Sequence, residues 1–221
     1  SAYAALYRVL VTFVKTLAPV LPYVTDVIYG NLVRSWNDDA PESVHLCDMP
    51  QADEELRATE LEEQMALAVR ALGIGPGDEV VTQPNTWIST AFAVSYAGAT
   101  PVFADVDPRT LQMDPAALVG ALTPRTRAVI PVHMFGHPAP MTEITEICRG
   151  RGIRIIEDVA QAVLARTDGR LAGTFGDLAC FSFYPSKNLG CWGDGGAVLT
   201  GDADLAAEVR RLADYGREAP Y

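Results

Sequence analysis

Hydrophobic positions recur with two different periods along this 221-residue chain, and the change falls near residue 70. In the first part Leu6, Leu10, Phe13, Val14 and Leu17 lie three or four apart, the spacing of one helical face, and Pro19 and Pro22 end that helix. A second apolar helix is predicted from Tyr23 to Val33, followed by the polar loop SWNDDAPES. A third, acidic helix then starts at about Asp53, with Leu56, Leu61, Met65 and Leu67 as its apolar side. No strand pattern appears before residue 70, so residues 1–70 are expected to be a helical segment too small to bury its own faces well.

From Gly73 the punctuation becomes that of an α/β sheet. Short apolar runs predict strands from Asp78 to Val81, Pro101 to Ala104, Ala128 to Val132, Ile153 to Glu157, Leu178 to Phe183 and Ala197 to Thr200. Between them, helices are predicted from a cap at Asn85 or Thr86 to Ala97, from Asp114 to Leu122, from Met141 to Gly150 and from Asp202 to Asp214. Strands alternating with helices argue for a mostly parallel sheet covered on both faces. Such sheets bind ligands beyond the carboxyl ends of their strands, where Trp87, Asp158 and Lys187 fall.

Composition narrows the function classes. A net charge of −11 disfavours nucleic-acid binding through a basic surface. The four cysteines, Cys47, Cys148, Cys180 and Cys191, show no paired spacing and read as reduced thiols of a cytoplasmic protein. No apolar run approaches a membrane span, and the N-terminus lacks a charged-then-apolar signal pattern.

The chemistry concentrates in FSFYPSKNLGCWGDGGA, Phe181 to Ala197, where a strand ends in a proline and one lysine, Lys187, stands among small residues and glycines. These glycines forbid a regular helix and permit close backbone approach. Some thirty residues upstream, IIEDVAQA places Asp158 at another strand end. An aspartate and a lysine at neighbouring strand ends suit a pyridoxal-phosphate enzyme, in which a carboxylate holds the pyridine nitrogen protonated and a lysine forms the Schiff base. His133 and His137 share a four-residue spacing, but Gly136 and Pro138 oppose a helix between them and no third ligand is nearby, so no metal is assigned.

With ALGIGPGDEVVTQPNTWISTAFAVSYAGATPVFADVD and TPRTRAVIPVHMFGHPAPM preceding IIEDVAQA and GTFGDLACFSFYPSKNLGCWGDGGAV, residues 71–221 resemble the DegT/StrS family of sugar aminotransferases. The resemblance implies a partial large domain of the aspartate-aminotransferase fold, pyridoxal 5′-phosphate as cofactor, a homodimer, and transfer of an amino group from a glutamate-like donor to a keto sugar carried on a nucleotide. Lys187 would form the aldimine and shuttle the proton, and Asp158 would pair with the pyridine nitrogen. Gln161 would contact the phenolic oxygen, Trp87 would stack on the ring, and Ser182 would contact the phosphate. On local grammar alone, Lys187 also reads as a solvated loop lysine, Asp158 as a helix N-cap, Gln161 as its capping-box partner, Trp87 as core and Ser182 as an ordinary strand residue.

Residues 1–70 are similar to something else. TLAPVLPYVTDVIYGNLV and PESVHLCDMPQADEELRATELEEQMALAVR resemble the anticodon-binding region of isoleucyl-tRNA synthetases. The HIGH and KMSKS motifs of those enzymes are absent, which excludes aminoacylation, and 11 acidic against 5 basic residues oppose tRNA binding. The chain therefore reads as a chimera joined near Arg70. The family's phosphate-cradling Gly-Thr/Ser-Asp/Glu-Ala turn would fall on Leu61, Glu62, Glu63 and Gln64, and the family's smaller domain would follow Tyr221. Impaired cofactor retention and turnover are expected on that basis. The alternative is a non-catalytic chimeric fragment carrying a synthetase remnant.

Overall fold

The computed structural model describes residues 61–214, and the predicted helices of residues 1–60, with Cys47, lie outside that range. The first described element is helix α1, Leu61–Ala71. Its buried face is Met65, Ala68 and Val69, spaced at i, i+3 and i+4, whereas the expected Leu67 is only half-buried. The helix runs through Arg70, where the hydrophobic pattern changes. Its buried residues share one core cluster with Val80, Ala93, Val94, Ile130 and Ile156, so α1 is part of the α/β core.

The remaining elements alternate as the sequence suggests: β1 Glu79–Thr82, α2 Ser89–Tyr96, β2 Thr100–Phe103, α3 Pro115–Ala121, β3 Thr126–Ile130, α4 Met141–Arg149, β4 Arg154–Asp158, a small hairpin of β5 Arg166–Thr167 and β6 Arg170–Leu171, β7 Leu178–Ser182, β8 Gly196–Leu199 and α5 Ala203–Ala213. The main sheet has the order β2-β1-β3-β4-β7-β8. All its neighbours are parallel except β7 and β8. Residues 183–195 contain no helix to carry the chain back across the sheet, so β8 returns antiparallel beside β7.

Adjacent strand residues feed opposite faces, as the pleat requires. Val80, Ile130 and Ile156 join the cluster under α1 and α2, while Val81, Val129 and Ile155 join the cluster under α3 and α4. Helix α4 shows the matching pattern, burying Met141, Ile144, Thr145 and Cys148 at i, i+3, i+4 and i+7. Burial pushes the Cys148 thiol up to about 12, so it stays a neutral core group.

Three local expectations are corrected. Helix α2 begins at Ser89 with Ile88 as its cap, because Asn85 is engaged with Gln83 and the Leu111 carbonyl, while Thr86 pairs with Thr90. The segment after Asp158 forms turns, not a helix. The β5–β6 hairpin was not foreseen, although Asp168-Gly169, both at positive φ (49° and 76°), is a recognisable two-residue turn.

Candidate active site at the carboxyl edge of the sheet

Asp158 ends β4 and is 2% exposed. Its Oδ1 accepts from the Ala160 N–H at 3.1 Å, and its Oδ2 accepts from the Thr90 hydroxyl at 3.0 Å. Burial pushes its carboxyl up from the ordinary value, against these two donors and the charges of His133 and Lys187. Lys187 lies on the loop between β7 and β8, and β7 is the parallel neighbour of β4. That loop turns at Lys187, whose N–H donates to the Tyr184 carbonyl at 2.8 Å.

The glycines after Lys187 serve close approach, but to the chain's own backbone. A Cβ on Gly190 would lie 2.5 Å from the Pro185 carbonyl oxygen, and one on Gly196 would overlap the Phe181 carbonyl and the Gln64 side chain. Ser182, buried at the end of β7, accepts from the Tyr184 N–H and pairs with Gly196 in the ladder. Because Gln64 also reaches Gly196, the first turn of α1 lies against the β7–β8 ends, close to Ser182. Gln64 is buried there, and the Glu63 side chain is exposed.

Trp87 is 69% exposed on the turn that opens α2, where its carbonyl accepts from the Thr90 N–H. The same Thr90 side chain holds Asp158, which puts Trp87 on the Asp158 side of the carboxyl edge. Gln161 does not cap Asp158, whose N–H donates to the Pro131 carbonyl. Its Oε1 accepts from the Phe135 N–H at 3.2 Å, leaving the amide nitrogen as its other hydrogen-bonding end.

Two polar assemblies were not foreseen. Glu157, fully buried beside Asp158, accepts from the N–H groups of Gly173, Phe175 and Gly176 at 2.6–2.8 Å and pairs with His133 Nε2 at 3.0 Å. His133 Nδ1 accepts from the Ala139 N–H, so the ring proton sits on Nε2. Burial would raise the Glu157 carboxyl, but these donors outweigh it and hold the group below the usual carboxylate range. His133 is thus committed to an internal brace, and His137 is exposed. The second assembly is the hydroxyl pair Thr86 and Thr90, 2.9 Å apart. Thr90 lies four residues after Thr86, a spacing that could have flagged the pair.

The donor set fits a flat cationic ring. A buried carboxylate with two donors among the described residues has lone-pair capacity left, a lysine lies on the same edge, and a hydroxyl is buried at the neighbouring strand end. A cleft of about 350 Å³ bordered by Arg149, Arg154, Phe175 and Asp177 lies near the start of β4 and is separate from this edge.

Comparison with known proteins decides the family. Residues 62–221 match the DegT/DnrJ/EryC1/StrS aminotransferase family. The chain belongs to this family. The DegT-family relatives include the UDP-N-acetyl-3-dehydro-alpha-D-glucosamine 3-aminotransferase of Acidithiobacillus ferrooxidans, 53% identical over 157 residues, which are 71% of this chain and 42% of the relative. A dTDP-3-amino-3,4,6-trideoxy-alpha-D-glucose transaminase of Streptomyces venezuelae is 50% identical over 157 residues, 71% of this chain and 41% of that protein. The S. venezuelae DesV structure in complex with a ketimine intermediate superposes with a TM-score of 0.70 at 48% identity, over 73% of this chain and 44% of DesV. NtdA of Bacillus subtilis with bound cofactor PMP superposes with a TM-score of 0.68 at 26% identity, over 91% of this chain and 44% of NtdA. The chain spans less than half the length of these relatives. Residues 1–75 match a second family, the anticodon-binding domain of tRNA ligase, which overlaps the first through most of α1. Among the described residues no helix is long and apolar enough to cross a membrane.

Proposed function

We propose that this chain carries the large-domain half of a pyridoxal-phosphate aminotransferase that moves an amino group from a glutamate-like amino acid to a keto sugar on a nucleotide. The observation that carries the reading is the buried Asp158 carboxylate at the end of β4, next to β7, whose following loop carries Lys187.

Asp158 would accept the hydrogen of the cofactor's ring nitrogen and keep it in place. Trp87 offers a ring face, Gln161 an amide N–H for the phenolic oxygen, and Ser182 a hydroxyl for the phosphate. Bound pyridoxal phosphate supplies an electron-withdrawing ring that accepts charge from the substrate carbon. Lys187 Nζ would hold the cofactor and, once freed by the amino donor, would be the amine placed to take the proton from the substrate carbon and return it. Homodimer formation belongs to the same reading.

At the phosphate end the retention is weak. Leu61 to Gln64 occupy the positions of the small Gly-Thr/Ser-Asp/Glu-Ala turn, and Gln64 is consumed in packing against Gly196. Loss of two charge-assisted hydrogen bonds costs roughly 3–6 kcal/mol, two to four orders of magnitude in affinity. The match of residues 1–75 to an anticodon-binding domain favours a second reading, a chimeric fragment without turnover.

Lys15 and Lys187 are the only lysines in the sequence, which makes the test direct. The full chain is mixed with millimolar pyridoxal phosphate, reduced with borohydride and digested. The expected result is label on Lys187, with a visible absorbance that dialysis removes from unreduced protein. Label confined to Lys15, or no label, overturns the cofactor reading. Label on Lys187 without amino transfer from glutamate to a nucleotide-linked keto sugar selects the fragment reading.

A further inference from the structure

Asp158 is held by a chain of hydroxyls, and proton counting fixes its direction. Thr90 is 1% exposed and has one hydroxyl hydrogen. When Asp158 is ionised its Oδ2 can only accept, so the Thr90 hydrogen points to it across 3.0 Å. The Thr90 oxygen then has only acceptor capacity left for Thr86, 2.9 Å away, and Thr86 must supply its own hydrogen. If Asp158 is protonated on Oδ2 it becomes the donor, and both bonds reverse. The pair can thus match either state of the carboxyl without moving a heavy atom.

We propose that Thr86 and Thr90 are positioning residues that orient the Asp158 carboxylate and favour its ionised form through this two-hydroxyl relay. The assignment of Asp158 as partner of the ring nitrogen rests on the function proposed above, whereas the relay itself is a property of the chain without cofactor. Two contacts from different elements, Ala160 N–H on Oδ1 and the Thr90 hydroxyl on Oδ2, fix the plane of the carboxyl group. A rotated or protonated carboxyl would turn a donor, or no lone pair, toward a ring nitrogen that itself carries hydrogen. Besides Thr90, the titratable groups acting on Asp158 are Lys187 from the β7–β8 loop, His133 from the loop after β3 and Cys180 on β7. Of these, His133 and Lys187 oppose the burial that favours protonation. His133 is turned to Glu157, and burial holds the Cys180 thiol well above its ordinary value, so it is neutral. Thr90 is therefore the side-chain hydroxyl bonded directly to this carboxyl.

The relay is tested on the full chain without cofactor by following ¹³C-labelled aspartate carboxyls by NMR during a pH titration, with the Asp158 signal assigned by its loss in Asp158→Asn. Thr90→Val removes the donor and keeps the shape. Its Asp158 should bind a proton about tenfold or more tightly than wild type. Thr90→Ser keeps the hydroxyl and should restore the wild-type midpoint. Thr86→Val, at a half-buried site, should shift the midpoint the same way by less, and it decides the matter if Thr90→Val does not fold. An unchanged midpoint in Thr86→Val and in any folded Thr90→Val, or an equal shift in Thr90→Ser, overturns the relay. The cofactor step is read separately from pyridoxal-phosphate capture at Lys187. If Asp158→Asn captures as well as wild type while the midpoints move as described, the relay stands and the ring-nitrogen assignment fails.

Discussion

Replacing Glu157 by Gln should destabilise this protein more than its single-atom change suggests. Glu157 is fully buried, and its two oxygens accept four hydrogens: Phe175 and Gly176 N–H on Oε1, Gly173 N–H and His133 Nε2–H on Oε2. A glutamine in the same place can keep its oxygen toward Phe175 and Gly176, but its NH2 group then faces two donors. His133 cannot relieve this by moving its proton, because Nδ1 is already the acceptor of Ala139 N–H. Two buried donors are opposed by a third, each at a cost of about 1–3 kcal/mol, so the total is about 2–6 kcal/mol, centred near 4. With a urea slope of about 2 kcal/mol per molar, the unfolding midpoint should fall by about 2 M with the slope unchanged.

The pH dependence gives an independent check. The folded-state pKa of Glu157 is depressed below its ordinary 4.5. Its contribution to stability is therefore complete above that value and is lost as pH falls through the folded pKa. Wild type should lose midpoint in that acidic window, and Glu157→Gln should lose measurably less. A variant within a few tenths of a molar of wild type at neutral pH, with the same acid profile, would show that the brace does not carry the load assigned to it.

Three further outcomes follow from the same geometry. Asp158 has a raised folded-state pKa, so its effect is favourable below its unfolded value and is lost as pH rises through the folded one; Asp158→Asn should therefore stabilise the cofactor-free chain at neutral pH, and a lower thermal midpoint than wild type at pH 7 would contradict this. Gly196→Ala should destabilise by more than about 2 kcal/mol, and Gln64→Ala should not rescue it, because the new Cβ also meets the Phe181 backbone carbonyl; urea melts of the single and double variants decide. Gly190→Ala should displace the Pro185 carbonyl and the turn that carries Lys187, lowering borohydride-fixed label at Lys187 severalfold while the urea midpoint moves by less than about 1 kcal/mol equivalent; full labelling would show that the turn tolerates the shift.

The parallel sheet was legible because its strands are short apolar runs divided by helices, a pattern set by burial on both faces. The strand-end residues were legible for the same reason: Asp158 follows Ile155 and Ile156, and Lys187 follows the Pro185 that ends β7's extension. Less legible were features fixed by polar partners distant in sequence. Glu157 and Asp158 are adjacent in the text, yet one is braced by His133 and a loop some sixteen to nineteen residues on, and the other by Thr90, 68 residues back. Nothing in local spacing distinguishes the two carboxylates. The start of α2 was misplaced because Asn85 and Thr86 look like caps, but their side chains bond elsewhere.

Helix α1 shows how one stretch satisfies two patterns. Read as a continuation of the acidic helical segment, it offers Leu61, Met65 and Leu67 as an apolar side. Read as the opening of the sheet's own layer, it buries Met65, Ala68 and Val69 against Val80 and Ile130, which the structure shows. Core packing asks only for small and apolar groups at those three positions. A phosphate-holding turn asks for much more: small residues, exposed backbone N–H groups and a hydroxyl. Substitutions confined to Leu61–Gln64 would therefore leave the packing of Met65, Ala68 and Val69 intact while changing the first turn of the helix. The packing of α1 and the holding of a phosphate thus place different demands on the same stretch, and a well-packed sheet is no argument for tight cofactor binding.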